Sequence, residues 1–489
     1  MSSRSFVTVC LSVISVLLIF SSAHSGIDPN RFDPYLKSNW YGVYMQNAKF
    51  GYMENSLEKV TAPFDGWRSR SIMTIIMKLG GDKTIMTVDD QRFFRSPGGE
   101  LDSSNWITTS PTGNIEVVGR HLGDKFVVES NIGGQKTQKT FPYPSDFLDS
   151  MLTMERQISA GHAAVGDSMI FTTFEPTPPL TGPIHQTVKV LSKKDVFANG
   201  VSATIYSLST NISEANMVLQ STVDAYGNLL DGVVGNQIKV KLEGEEVAKQ
   251  LDNTYDFLTN NLVIPDKKID DPQSLKTVNL KISGIDTSSI IETAMQKAYS
   301  DSSGDLLVEI NKESIPKAPL MIPITGIELK PFLQSDPYEQ SDDPKIIALA
   351  DSIVGNEKIS WAVAKKINEW VFDNIHKQLT PEFSNALQTL NSRRGDCGEH
   401  TALAVALLRA SGVPTRPIVG LIYWPEGNAF GYHAWTEVYI GKWVEMDPTW
   451  NENLANPTHI AFARGDIIHQ VSALAGIMGK IKISILAVK

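Results

Sequence analysis

Arg394-Gly395-Asp396-Cys397-Gly398-Glu399-His400-Thr401-Ala402-Leu403 reads as the opening of a helix with a sulfur in its first turn. Asp396 suits the N-cap, and Glu399 three residues on makes a variant of the capping box. Leu403, Ala406, Leu407 and Ala410 then form a buried stripe, which Gly412 and Pro414 close. Cys397 therefore sits where unpaired backbone N–H groups and the positive end of the helix dipole favour a thiolate over a thiol.

Working outward, residues 415–423 read as a strand. The next segment, His433-Ala434-Trp435-Thr436-Glu437-Val438-Tyr439-Ile440, Gly441-Lys442, Trp443-Val444-Glu445-Met446-Asp447-Pro448-Thr449, alternates as a β-hairpin. His433 lies at the start of its first strand and Asp447 at the end of its second. A plain two-residue turn at Gly441-Lys442 would set Asp447 opposite Thr436, on the face away from His433. The sequence thus calls for a three-residue turn or a bulge near Gly441 that returns both side chains to one face. An activated cysteine, a histidine base and an acid that fixes the ring tautomer make the set for acyl transfer from amides or thioesters. Cys397, His433 and Asp447 are the candidate catalytic residues, and the backbone N–H of Cys397 is one oxyanion donor.

Rival readings use neighbouring residues. His400, three along from Cys397, competes as base but has no evident orienting acid. Cys397 with Glu399 and His400 offers metal-binding atoms, yet a lone thiolate is a poor start for structural zinc, and no EF-hand loop is visible. No metal and no cofactor is called for. Arg393 and Arg394 read as solvated loop charges before they read as thiol-activating ones. Phe430, Tyr432, Trp435, Tyr439, Trp443 and Trp450 cluster around the histidine, and packing under the sheet is the commoner fate of such aromatics than lining a cleft.

These runs, together with Leu408-Arg409-Ala410-Ser411-Gly412-Val413-Pro414-Thr415-Arg416 and Met446-Asp447-Pro448-Thr449, resemble the transglutaminase-like superfamily of papain-type fold. The likeness spans residues 343–460, about a quarter of the chain. It implies catalytic Cys397, His433 and Asp447 on a helix plus an antiparallel sheet. The preceding β-rich region is more diffusely similar to the amino-terminal part of exported bacterial members.

The rest of the chain sets the context. Its 489 residues are 42% hydrophobic and 20% charged, which excludes intrinsic disorder and supplies at least one large core. With 44 Lys+Arg against 54 Asp+Glu (44 − 54 = −10) and no basic block, nucleic acid is not an expected partner. Arg4, the apolar run 6–20 and the small residues Ala23 and Ser25 read as a removable export signal over residues 1–25. Removing it takes away Cys10 and leaves Cys397 as the single thiol, so an internal disulfide cannot staple the mature chain. The expected localisation is periplasmic or extracellular, with no membrane span in the mature chain.

Residues 26–315 read as a β-rich region. Period-two segments at 71–79, 84–94, 113–118, 125–130, 134–140, 169–174, 187–190 and 203–208 alternate with turn signals, suggesting a sandwich or a partly closed barrel. Its histidines His121, His162 and His185 read as solvated or satisfied. Residues 286–300 fit one helix, and the boundary is placed near Pro316, ahead of a catalytic region at 316–489. There Asp343-Pro344 caps one helix, 360–376 forms another, and Lys480-Ile481-Lys482-Ile483 alternates as a closing strand. The overall expectation is an α+β chain acting on a protein or peptide substrate. Three functions fit: an acyltransferase joining glutamine carbonyls to amines, a cysteine peptidase or amidase with water as acceptor, and a non-catalytic binding module.

Overall fold

Period-two alternation in the first half of the chain becomes one large antiparallel sheet. The computed structural model describes residues 38–489 except 46, 63–64, 80–81, 96–99, 112, 133, 145–162, 178–180, 199–200, 215–216, 226, 235–237, 252–254, 303, 379–383, 466–473 and 475–476. The expected export signal, with Cys10, and His162 lie outside the described residues.

The chain forms two compact units, one ending at Asp256 and the other running from Phe257 to Lys489. In the first, among the described residues, fourteen strands follow one another: β1 (Ser38–Met45), β2 (Ala48–Val60), β3 (Gly66–Leu79), β4 (Asp82–Arg95), β5 (Leu101–Ser110), β6 (Gly113–Leu122), β7 (Lys125–Ile132), β8 (Gln135–Pro142), β9 (Ser168–Glu175), β10 (Gly182–Ala198), β11 (Val201–Ile212), β12 (Met217–Asp224), β13 (Leu229–Val234) and β14 (Ile238–Glu243). Two meanders, β1 to β8 and β9 to β14, join where β1 pairs with β14, so β8 and β9 are the edges. These edges approach through side chains: Phe126 on β7 and Phe174 on β9 have ring centroids 4.7 Å apart. A Cβ at Gly182 would lie 2.9 Å from the Phe141 ring on β8. The arrangement is thus a partly closed barrel and not a sandwich, with alternate residues such as Met53, Met73, Val88 and Trp106 buried. His121 bonds the Gly123 carbonyl at 2.7 Å and His185 meets Glu214 at 2.5 Å, both at the surface.

The second unit begins earlier than Pro316, and pairing explains why. Strands β15 (Thr277–Ser283), β16 (Gln296–Ser300) and β17 (Leu306–Asn311) form a four-stranded sheet with the chain's last strand, in the order β16-β17-β15-last. The helix expected over 286–300 is replaced by a 3₁₀ turn at Thr287–Ser289 and then β16. The Thr293 hydroxyl accepts the N–H groups of Met295 and Gln296, a local alternative to helical bonding that leads the chain into the strand.

Around the cysteine, four helices and a second four-stranded sheet assemble. Helix α1 (Pro344–Val354) starts on Asp343, whose carboxylate accepts the Lys345 N–H at 2.8 Å, and α2 (Ser360–Asn374) follows. Helix α3 (Ala386–Ser392) carries an Asn385–Gln388 capping box, and α4 (Cys397–Ala410) opens at the sulfur. The short strands β18 (His376–Lys377) and β19 (Arg394–Gly395) pair in parallel just ahead of α4. Strands β20 (Thr415–Trp424), β21 (Ala429–Tyr439), β22 (Trp443–Met446) and β23 (Ile460–Arg464) are ordered β22-β21-β20-β23, and β24 (Lys482–Val488) is the closing strand named above.

Helix α4 is buried from Cys397 to Leu408, as a helix apolar nearly all round should be. Its Leu403, Leu407 and Leu408 share a core with Ile346 of α1, Val363 and Ile367 of α2, and Val438 and Val444 of the hairpin. At about 1.5–3 kcal/mol for each large apolar side chain, this core fixes the helix against the sheet. Among the described residues no helix is long and apolar enough to cross a membrane.

Candidate functional site

The start of α4 is fixed by a reciprocal cap. Asp396 Oδ1 accepts the Gly398 N–H at 3.1 Å, and Glu399 Oε2 accepts the Asp396 N–H at 2.9 Å. Glu399 is wholly buried, and its Oε1 also takes the Ser384 N–H at 3.0 Å. A Cβ at Gly395 would fall 2.3 Å from that of Glu399, so this box needs glycine just before the cap. Cys397 then occupies the first helical position, 1% exposed, and its Sγ accepts the Ala434 N–H at 3.0 Å. Ladder pairing of β22 with β21 stops at Thr436–Met446, which leaves the Ala434 N–H free to reach the sulfur. Two sets of backbone dipoles, from the helix start and from this strand, thus favour negative charge on Sγ.

The hairpin register brings His433 and Asp447 together. Tyr439 pairs with Trp443, so the connection is the three residues Ile440, Gly441 and Lys442, closed by an Ile440 N–H to Lys442 carbonyl bond of 2.9 Å. Gly441 has φ +104°, a region L side chains rarely adopt. Extending this register past Thr436–Met446 sets Asp447 across from Trp435, on the face of β21 that also carries His433. His433 Nε2 lies 2.6 Å from Asp447 Oδ2, while His433 Nδ1 is buried and, among the described residues, makes no hydrogen bond. Burial holds the His433 ring below its ordinary pKa, although Asp447 opposes this. Asp447 Oδ1 accepts the N–H groups of Thr449 at 2.7 Å and Trp450 at 3.2 Å. Burial alone would raise the Asp447 carboxyl, but its two imidazole neighbours hold it well below the usual carboxylate range.

The second of those imidazoles escaped the sequence reading. His459 Nε2 approaches Asp447 Oδ2 at 3.2 Å, and its Nδ1 lies 2.9 Å from the Asn456 carbonyl oxygen. Although burial opposes the charge, the hydrogen bond to Asp447 and the neighbouring Glu452 push the ring up to about 9. A faint signal exists: Asn456-Pro457-Thr458 is turn chemistry, with the Thr458 N–H bonded to Asn456 Oδ1 at 2.8 Å, and it delivers His459 to the head of β23. His433, Asp447 and His459 are also a group, among the described residues, whose donor atoms lie within 4.8 Å of one another. Ligand atoms about 2.0–2.1 Å from one tetrahedral zinc stand roughly 3.3 Å apart. The 2.6 Å approach is shorter, and we read the set as hydrogen-bonded rather than as ligands.

The rival residues are otherwise engaged. His400 has Nδ1 2.6 Å from the Asp396 carbonyl and Nε2 3.2 Å from that of Ile375, so neither nitrogen is offered to the sulfur. Arg393 stacks over Trp370 at 4.9 Å, and Arg394 is exposed. Trp435 is wholly buried and donates to Glu445 Oε2 at 2.7 Å, a packing role. Trp450 is half-buried and stands edge-on to His433 with centroids 6.4 Å apart. Lys377 is held below its ordinary pKa by burial, with Asp447 opposing.

Comparison with known proteins places this arrangement: residues 347–448 match the transglutaminase-like superfamily. That stretch, about a fifth of the chain, is transglutaminase-like. An uncharacterised protein of Mycobacterium leprae is 29% identical over 100 residues, which is 19% of this chain and 36% of the relative; the match thus covers about a third of the relative's length. Among solved structures, a candidate cysteine protease from Cytophaga hutchinsonii shares 18% identity over 44% of this chain and 86% of its own, with a TM-score of 0.29. A β-barrel-like protein of a domain of unknown function from Brucella abortus shares 10% identity over 42% and 94%, with a TM-score of 0.34. These two structural likenesses are too loose to carry either fold or chemistry.

Proposed function

We propose that this chain is an exported thiol enzyme transferring acyl groups from amide carbonyls of a protein or peptide substrate. In this reading Cys397 is the nucleophile, His433 the base, and Asp447 the group that orients it. One observation carries it: His433 is tied to Asp447 through Nε2 while its unbonded Nδ1 lies one residue from the Ala434 N–H that binds the Cys397 sulfur. The thiol proton passes to Nδ1 as Sγ forms a bond to the carbonyl carbon. The C–N bond then breaks, His433 gives the proton to the departing amine, and a thioester remains. An acceptor amine attacks the thioester, its proton goes to His433 and on to the sulfur, and the free thiol is restored.

The enclosed setting supports an amine over water as acceptor. Cys397, His433 and Asp447 are 1%, 2% and 0% exposed, so substrate enters by local opening and the thioester is kept from bulk water. Export is supported by Arg4, the apolar run 6–20 and the small residues Ala23 and Ser25. Dimethylcasein with a fluorescent primary amine tests the chemistry. Wild type should incorporate the amine, and Cys397→Ala should lose at least about a thousandfold. Equal incorporation by both would overturn the reading, and cleavage or ammonia release without amine uptake would move the acceptor to water.

A further inference from the structure

The geometry points to His459 as a positioning residue that, as a doubly protonated imidazolium, holds the Asp447 carboxylate in place and keeps His433 neutral with Nδ1 ready to accept a proton. This rests on the roles given above to Cys397, His433 and Asp447. The Asn456 carbonyl can only accept, so the Nδ1 that lies 2.9 Å from it carries a proton. Asp447 receives two backbone N–H groups on Oδ1 and the His433 ring on Oδ2, so it acts as an ionised acceptor throughout. The His459 Nε2 facing the same Oδ2 at 3.2 Å must then carry a proton as well.

Asp447 and His459 are both fully buried, and together they are neutral. A charged His433 would set a second buried imidazolium with its ring centroid 5.9 Å from that of His459, and burial itself disfavours that charge. His433 therefore rests uncharged, with the Nε2 proton on Asp447 and the Nδ1 lone pair free. The other ionisable groups facing His459 are Glu452, whose oxygens are taken by Asn456, and Glu445, which burial pushes up to about 7; Lys377 on β18 acts on Asp447. Trp435 meets the His459 ring edge-on at 5.0 Å and excludes water from it.

Two measurements on the full chain test this. In ¹⁵N-histidine-labelled Cys397→Ala, with His459→Gln to assign the signal, both His459 nitrogens should be protonated at pH 7 and the ring should lose a proton near pH 9. A neutral His459 ring at pH 7 would overturn the proposal whether or not the protein turns over casein. In the amine-incorporation assay, His459→Gln keeps an N–H toward Asp447 without the charge. It should retain most of kcat but move the acid limb of the pH profile up by about one pH unit, because the opposing charge near His433 is gone. His459→Phe, which removes both, should lower kcat by about tenfold or more at unchanged KM. A purely structural histidine would lower the thermal midpoint of both variants and leave limb and kcat in place, and that outcome also overturns the proposal. Loss of activity in neither the Cys397 nor the His459 variants would instead sink the acyl-transfer reading, leaving the ring titration to decide on His459.

Discussion

Raising the pH from 7 to 9 should destabilise the folded chain in a way that His459→Gln abolishes. The His459 ring rises from its ordinary 6.5 to about 9 on folding, a difference of 9 − 6.5 = 2.5 pH units. At about 1.36 kcal/mol per unit this is roughly 3 kcal/mol of stability, fully present below pH ~6.5 and lost as pH climbs through 9. Between pH 7 and 9, where the unfolded ring is already neutral, about 2 kcal/mol of that should disappear. His433 is lowered from its ordinary value, so its contribution varies on the acid side of 6.5. The buried Glu445 carboxyl changes below about 7. The variant removes His459 while leaving these groups, so its difference from wild type isolates the ring. Urea unfolding of both proteins at pH 7, 8 and 9 measures this, with the m-value checked for constancy. Curves that fall in parallel, with a constant gap across the range, would refute the reasoning.

Three further outcomes follow from the geometry. Gly420→Ala should cost at least about 3 kcal/mol in thermal or urea unfolding, because its Cβ would lie 1.8 Å from the Ile460 carbonyl oxygen and force β23 away from β20. Asp396→Ala, which leaves the Gly398 N–H without its cap, should cost about 1 kcal/mol and slow iodoacetamide labelling of Cys397 at pH 7. Gly441→Val, which forces a β-branched side chain to φ +104° in the turn that sets Asp447 on the face of His433, should lower the urea midpoint and reduce amine incorporation while circular dichroism retains the sheet signal.

The site was legible where local chemistry leaves one choice. Asp396 and Glu399 around Cys397 announce a capped helix start, and the parity of the hairpin demanded the extra residue found at Ile440-Gly441-Lys442. The large sheet was equally readable from alternation, but its pairing of β1 with β14 joins segments about 200 residues apart, which no local pattern encodes. Residues 286–300 misled because Ile290, Ile291 and Met295 fit a helical stripe as well as a strand, and the Thr293 hydroxyl decided between them. The boundary placed near Pro316 falls too late because β15 is claimed by β24 from the far end of the chain. His459 was barely legible for the same reason: the Asn456-Pro457-Thr458 turn marks the head of its strand, but β23 meets β20 only in the folded sheet, and nothing in a histidine twelve residues past Asp447 signals a shared carboxylate.

These failures and successes share a cause in how the reactive atoms are held. The sulfur rests at the first position of α4, the Ala434 N–H lies beyond the last rung of the β21–β22 ladder, and Asp447 follows the final residue of β22. Each uses backbone groups that regular secondary structure leaves unpaired: Asp447 Oδ1 takes the Thr449 and Trp450 N–H groups, and Asp447 itself exchanges backbone bonds of 2.8 and 2.9 Å with Glu452. A site assembled from element ends tolerates changes in strand faces and helix flanks but not changes in register, because a one-residue slip moves an end past its partner. Sensitivity should therefore concentrate at Gly395, Gly420 and Gly441, none of which bears a reactive group. A side chain at the first two would collide with Glu399 or Ile460, and one at the third would strain the turn that sets Asp447 on the face of His433.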